Sequence, residues 1–139
     1  MSRIHFIGGE KGGVGKSVLA RLLSQYHIDR GREFQAFDAD LSHGALMRYY
    51  GDYSIAVDLN DATSADQIAE MAVESGKDVI VDLAAQSARA LASWMDETGL
   101  VEMGKELGFE IFLWHVMDDG TDSVRLLGNL LETYRQGPR

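Results

Sequence analysis

The chain has 139 residues, with 22 acidic side chains against 13 Lys and Arg for a net charge of −9, and it has no cysteine. That length suits one domain, able to bury roughly two-thirds of the surface its unfolded chain exposes. The absence of cysteine excludes a disulfide framework and a thiolate metal site and fits a reducing compartment. The acidic balance opposes sequence-independent DNA binding, which needs Lys and Arg on phosphates. No run approaches the roughly 20 apolar residues that span a bilayer, and the first apolar stretch is too short for a signal peptide, so a cytoplasmic chain is expected.

Short apolar runs alternate with helical periods, the pattern of βαβ units and of a doubly wound, mainly parallel α/β sheet. A strand is expected over residues 3–7. Directly after it comes Lys11-Gly12-Gly13-Val14-Gly15-Lys16-Ser17, leading into Val18 and a helical pattern. Three glycines let the backbone wrap an anion with its N–H groups turned inward, and the helix N-terminus adds about half a positive charge there. Lys16 supplies a cation for the β- and γ-phosphates and Ser17 a hydroxyl for Mg²⁺. The strict Gly-x4-Gly-Lys-[Ser/Thr] pattern fails, because Glu10 stands at its first glycine; the match is to the variant with a second lysine, Lys11. Six fixed positions coincide by chance in fewer than about one in 10⁴ chains of this length, so a merely flexible Gly-rich turn is the poorer explanation. Glu10 is expected to point away from the phosphates.

A helix over residues 16–30 should bury Val18, Leu19, Leu22, Leu23 and Tyr26, with Gly31 stopping it. A strand at 34–37 leads into Asp38-Ala39-Asp40, then a short helix at 43–50 and a strand at 55–59. Ser64 and Gln67 form a capping-box signature, opening a helix that buries Ile68, Met71 and Ala72 and ends near Gly76. Val79-Ile80-Val81 is a β-branched run ending in Asp82. Helices at 87–96 and 100–107 and a strand at 109–116 follow. A last helix, capped by Thr121 or Asp122, carries Val124, Leu127, Leu130, Leu131 and Tyr134 on one face. The domain is expected to span 1–136, with 137–139 a ragged tail and the whole shortened at its end.

Three aspartates stand at strand ends, the edge where parallel α/β sheets gather ligands. Asp38 and Asp40, two apart, would share a side if extended geometry continued. Asp82 suits an acid supporting Mg²⁺ from a neighbouring strand, and Gln86 is a candidate contact to water or γ-phosphate. The alternative for all of them is a solubilising or capping role, which is the preferred reading for Gln86 and for Asp118 and Asp119. His5, His43 and His115 lack ligand spacing, Trp94 and Trp114 read as core, and nothing singles out Arg48, Arg89 or Arg125 as a charge-stabilising finger.

The motif at residues 11–17, with weaker matches at 38–46 and 79–82, resembles the deviant Walker A ATPases, the ParA/MinD family of dimeric P-loop proteins. The resemblance implies ATP and Mg²⁺ as cofactors, slow hydrolysis, and an ATP-dependent homodimer in which Lys11 reaches the partner's nucleotide. It also implies Lys16 and Asp40 in catalysis, with Asp40 orienting the attacking water, residues 12–18 on the nucleotide, and Ser17, Asp38 and Asp82 around the metal. Leu41 departs from the proline that commonly follows Asp40 there, and Leu83-Ala84-Ala85-Gln86 departs from the family's second switch. The segments 37–44 and 114–120 look like the conjugal-transfer and plasmid-mobilisation branch, the TraL-like proteins, which implies a protein partner in DNA transfer or partition. Two other expectations stand beside it: a nucleotide-gated scaffold without turnover, and a small-molecule ligase or kinase of the same superfamily.

Overall fold

Because a helix separates most consecutive strands, each strand must cross back over the sheet and run the same way as its neighbours. A computed structural model shows this outcome for the described residues, 2–8, 16–40, 45–84 and 87–115, with the backbone alone at 16, 17, 45 and 62. The elements are β1 (Arg3–Gly8), α1 (Lys16–Asp29), β2 (Phe34–Asp38), α2 (Ala45–Tyr49), a 3₁₀ turn (Gly51–Tyr53), β3 (Ser54–Ala56), α3 (Ala62–Ser75), β4 (Asp78–Asp82), α4 (Ala88–Thr98), α5 (Leu100–Leu107) and β5 (Glu110–His115). The sheet is wholly parallel, in the order β3-β2-β4-β1-β5. This is the doubly wound α/β architecture expected from the alternating pattern.

Alternate strand residues feed two separate cores. Ile7, Ala36 and Ile80 pack with α1 and α2 through Ala20 and Leu46. Ile4, Phe6, Phe37, Val79 and Val81 face the other way, onto α3, α4 and α5. Trp94 is 2% exposed, edge-on to Phe6, and its indole N–H donates to Asp66 Oδ1 at 3.0 Å. Among the described residues no helix is long and apolar enough to cross a membrane.

Helix α1 does not bury the stripe its sequence suggests. Val18, Leu22 and Tyr26 are 54%, 61% and 47% exposed, while Ala20, Ser24 and His27 face the sheet. Leu19 and Leu23 are half-buried at its margin. Small and polar residues win the sheet side because they let the helix approach and because their polar atoms are satisfied there. Ser24 Oγ donates to the Ala20 carbonyl at 2.9 Å, and His27 meets Asp78 on β4.

Helix α3 begins before the expected capping box. Asp61 is its N-cap, its carboxylate accepting from the N–H groups of Thr63 and Ser64, whereas Ser64 Oγ accepts from Asp58 N–H at 3.0 Å. An ionised acceptor three residues earlier outcompetes the serine. Strand β3 is shorter than expected: it begins at Ser54, directly after the 3₁₀ turn, and ends at Ala56, three residues before the expected end. Trp114, expected in the core, is 39% exposed on β5 beside Phe112 and Leu113. The expected last helix lies outside the described residues.

Candidate functional site

The carboxyl ends of β1, β2 and β4 converge on one stretch of the sheet edge. Ile7 pairs with Asp82, and Asp82 pairs with Asp38, so the ends of the three strands lie abreast. The ladder runs on past the strand ends: Leu83 N–H donates to Ile7 O at 3.0 Å, Ala39 N–H to Asp82 O at 2.9 Å and Val57 N–H to Asp38 O at 3.0 Å. After β4 the chain passes to α4 on one face, while after β1 it passes to α1 on the other. Neighbouring strands that send their chains to opposite faces form the crevice in which such sheets bind ligands.

Strand parity sets both acids on one side. Asp38 shares its face with Ala36, and Asp82 shares its face with Ile80, the face covered by α1 and α2. Asp38 is 1% and Asp82 0% exposed. Backbones of adjacent strands lie only about 4.8 Å apart. Two buried carboxylates at such neighbouring positions repel unless a cation or donors offset their charge.

Donors reach Asp38 from its own chain. Its Oδ1 accepts from Asp40 N–H at 3.0 Å and its Oδ2 from Met47 N–H at 3.1 Å. The first bond ties the Asp40 backbone to the strand end, and Ala39 between the two acids packs into the opposite core beside Phe37. Asp40 is 7% exposed. The second bond ties α2 to the strand end. Nothing in the sequence marks Met47 for this, because the donor is a main-chain group that any residue supplies.

Helix α1 starts at Lys16, so Lys16 and Ser17 form the first turn after the glycine-rich segment that leaves β1. Lys11, Gly12, Gly13, Val14 and Gly15 lie outside the described residues, as do Gln86, Asp118, Asp119 and Arg125. Val18 is on the exposed side of α1, and Arg48 and Arg89 are exposed. Among the described residues no group of three or more His, Asp or Glu side chains is placed to hold a metal. Asp38 and Asp82 fit a hard divalent cation as a carboxylate pair only if other oxygens complete its shell, which is how Mg²⁺ is commonly held beside phosphates.

No family model matches the chain. It is similar to two proteins named TraL from Escherichia coli, 26% and 24% identical over 143 residues, the matches covering 99% of this chain and 59% of each relative. It is also similar to protein MobD from Acidithiobacillus ferrooxidans, 26% identical over 135 residues, covering 93% of this chain and 57% of that protein. The chain thus spans less than two-thirds of the length of these relatives. In shape it resembles a nucleotide-binding protein from Archaeoglobus fulgidus in complex with ADP, with a TM-score of 0.52 at 16% identity, covering 98% of this chain and 63% of that one. At that identity the likeness speaks for the fold.

Proposed function

We propose that this chain is a Mg·ATP-binding switch domain that hydrolyses ATP slowly and acts with a protein partner in plasmid transfer, mobilisation or partition. One observation carries the reading. The Lys-Gly-Gly-Val-Gly-Lys-Ser segment follows β1 in the sequence and its last two residues open α1, while Asp38 and Asp82 are buried at paired positions at the ends of β2 and β4. Main-chain N–H groups of residues 12–18 and the start of α1 hold the phosphates, with Lys16 opposite their charge. The metal, when bound, neutralises charge on the phosphate oxygens; Ser17, Asp38 and Asp82 are the protein groups around it. Asp38 keeps spare lone pairs for a metal-bound water while its backbone bonds hold α2 and residues 39–40 in place. Asp40 orients the attacking water. Lys11 completes the site of a second copy in an ATP-dependent homodimer.

The biological setting rests on the likeness to proteins named TraL and MobD, and the nucleotide on the motif together with the fold of the ADP complex. Titration calorimetry with Mg·ATP tests the core of it. The unaltered chain should bind and Lys16→Ala should not; equal binding by both would end the proposal. Gel filtration of Asp40→Ala with ATP tests the switch: a trapped dimer that Lys11→Ala abolishes is expected, and a monomer throughout leaves binding without the switch.

A further inference from the structure

The stripe that α1 leaves outside is a surface with a definite character. Val18, Leu22 and Tyr26 lie at i, i+4 and i+8 along about 12 Å of helix, all roughly half or more exposed. Helix α2 adjoins it with Tyr49, 55% exposed. The two helices are joined across this surface: the Arg21 guanidinium lies 4.0 Å above the centre of the Tyr49 ring, and Tyr50 Oη donates to Gln25 Oε1 at 3.1 Å. At the other end Arg30 lies 5.2 Å above the Tyr26 ring. Side chains held against one another this way form a preordered surface, with less rotamer freedom to lose on binding.

Its charge is opposite to that of the chain. Across residues 18–30 and 45–50 the charged side chains are Arg21, Arg30 and Arg48 against Asp29 alone, in a chain of net charge −9. Helix α3, on the far face of the sheet, carries Asp66, Glu70 and Glu74 and no basic residue. Apolar and tyrosine side chains bordered by arginines have the composition of a protein-binding centre rather than of a phosphate-tracking strip. A nucleic-acid backbone would use the arginines and leave Val18 and Leu22 uncovered.

We infer that the outer face of α1 and α2 docks an acidic amphipathic helix of a partner protein, its apolar stripe on Val18, Leu22 and Tyr26 and its carboxylates on Arg21, Arg30 and Arg48. The inference stands on exposure and charge and does not depend on the nucleotide chemistry. Helix-on-surface recognition of this kind reads apolar anchors at helical spacing, and flanking charges set orientation and choice of partner.

The test uses the full chain and a fluorescent synthetic amphipathic helix with a leucine stripe and glutamates elsewhere, followed by anisotropy. This peptide should bind and be weakened by salt. Leu22→Asp should lower its affinity at least about tenfold, the scale of losing a central anchor, and Arg21→Glu should lower it as well. Both residues lie at the surface, so circular dichroism and the urea midpoint verify that the fold is kept. The same peptide with lysine for glutamate should not bind, and duplex DNA should not displace the glutamate peptide. Hydroxyl-radical footprinting should find Leu22, Tyr26 and Tyr49 reactive in the free chain and shielded by the peptide. The inference is overturned if Leu22→Asp binds as well as the unaltered chain, if DNA competes effectively, or if those residues are already shielded by this chain's own remaining segments or by a second copy.

Discussion

The imidazole Nε2 of His27 lies 2.9 Å from Asp78 Oδ2, joining α1 to the start of β4 across 51 positions of sequence. Asp78 is the centre of a buried polar cluster at the edge of the sheet away from the candidate site. Its Oδ2 also accepts from Arg32 Nη2 at 2.8 Å and its Oδ1 from Arg3 N–H at 3.1 Å. The other ring nitrogen of His27 lies 2.8 Å from the Leu23 carbonyl. Nearby, Ser2 Oγ donates to the Lys77 carbonyl. One carboxylate therefore fastens a helix, a loop and the first strand to β4.

Removing that acceptor strands several donors at once. Asp78→Ala should cost about 3 kcal/mol, as breaking a buried hydrogen-bonded pair does. Arg32→Ala should cost about 1 kcal/mol or less, because the Arg32 side chain is 41% exposed and its bond is shared with solvent. Urea unfolding of the two variants measures the difference, and equal costs would refute a cluster centred on Asp78.

His5 makes stability depend on pH. Burial pushes its imidazole below the ordinary value of 6.5; Asp78 pulls upward, while His27, Arg3 and Arg32 push further down. Trp114 Nε1–H donates to its Nδ1 at 3.1 Å and the ring stacks on Phe112, so the fold favours the neutral ring. Above pH about 6.5 both folded and unfolded chains hold the ring neutral and the contribution is complete. As pH falls below that value the unfolded chain takes the proton first, and stability is lost until the folded ring also titrates. Relative to the unaltered chain, His5→Phe should therefore lose less stability between pH about 7.5 and about 5. Urea midpoints at several pH values measure this, and parallel curves would refute it.

Gly104 is held by contact rather than by backbone conformation. A Cβ there would sit 2.9 Å from the Phe109 carbonyl oxygen and 3.1 Å from its ring. Ala is the better helix former, so propensity alone predicts that Gly104→Ala stabilises α5 by about 1 kcal/mol. The clash with fixed backbone should reverse that sign and cost about 1–3 kcal/mol. A raised melting temperature would show that the turn before β5 yields freely.

The alternation of strands and helices was legible because period and punctuation are local properties. So was the place of the glycine-rich motif in the sequence after a strand and at the start of a helix, since Ile4, Phe6 and Ile7 precede it and helical spacing follows. Asp38 and Asp82 were identifiable from strand ends, but their register was not, because pairing is decided by the whole sheet. Helper groups stayed hidden where they are main-chain donors, as at Met47, or lie far away in sequence, as His27 does from Asp78. Helix α1 misled for a different reason. Its apolar residues form a coherent stripe, yet the sheet accepts the narrower face of Ala20 and Ser24 with His27 paired to Asp78.

That reversal predicts opposite responses from two neighbours. Ala20 is fully buried against Ile7, Ala36 and Ile80, so Ala20→Leu has no room for its added atoms. It should cost about 1–3 kcal/mol through overpacking, although it increases hydrophobicity. Leu22 is 61% exposed, and Leu22→Gln should change stability by no more than about 0.5 kcal/mol. Had the apolar stripe been the buried face, the ranking would be inverted, with Leu22→Gln the damaging change. Thermal and urea unfolding of the two variants decide which face of α1 lies on the sheet.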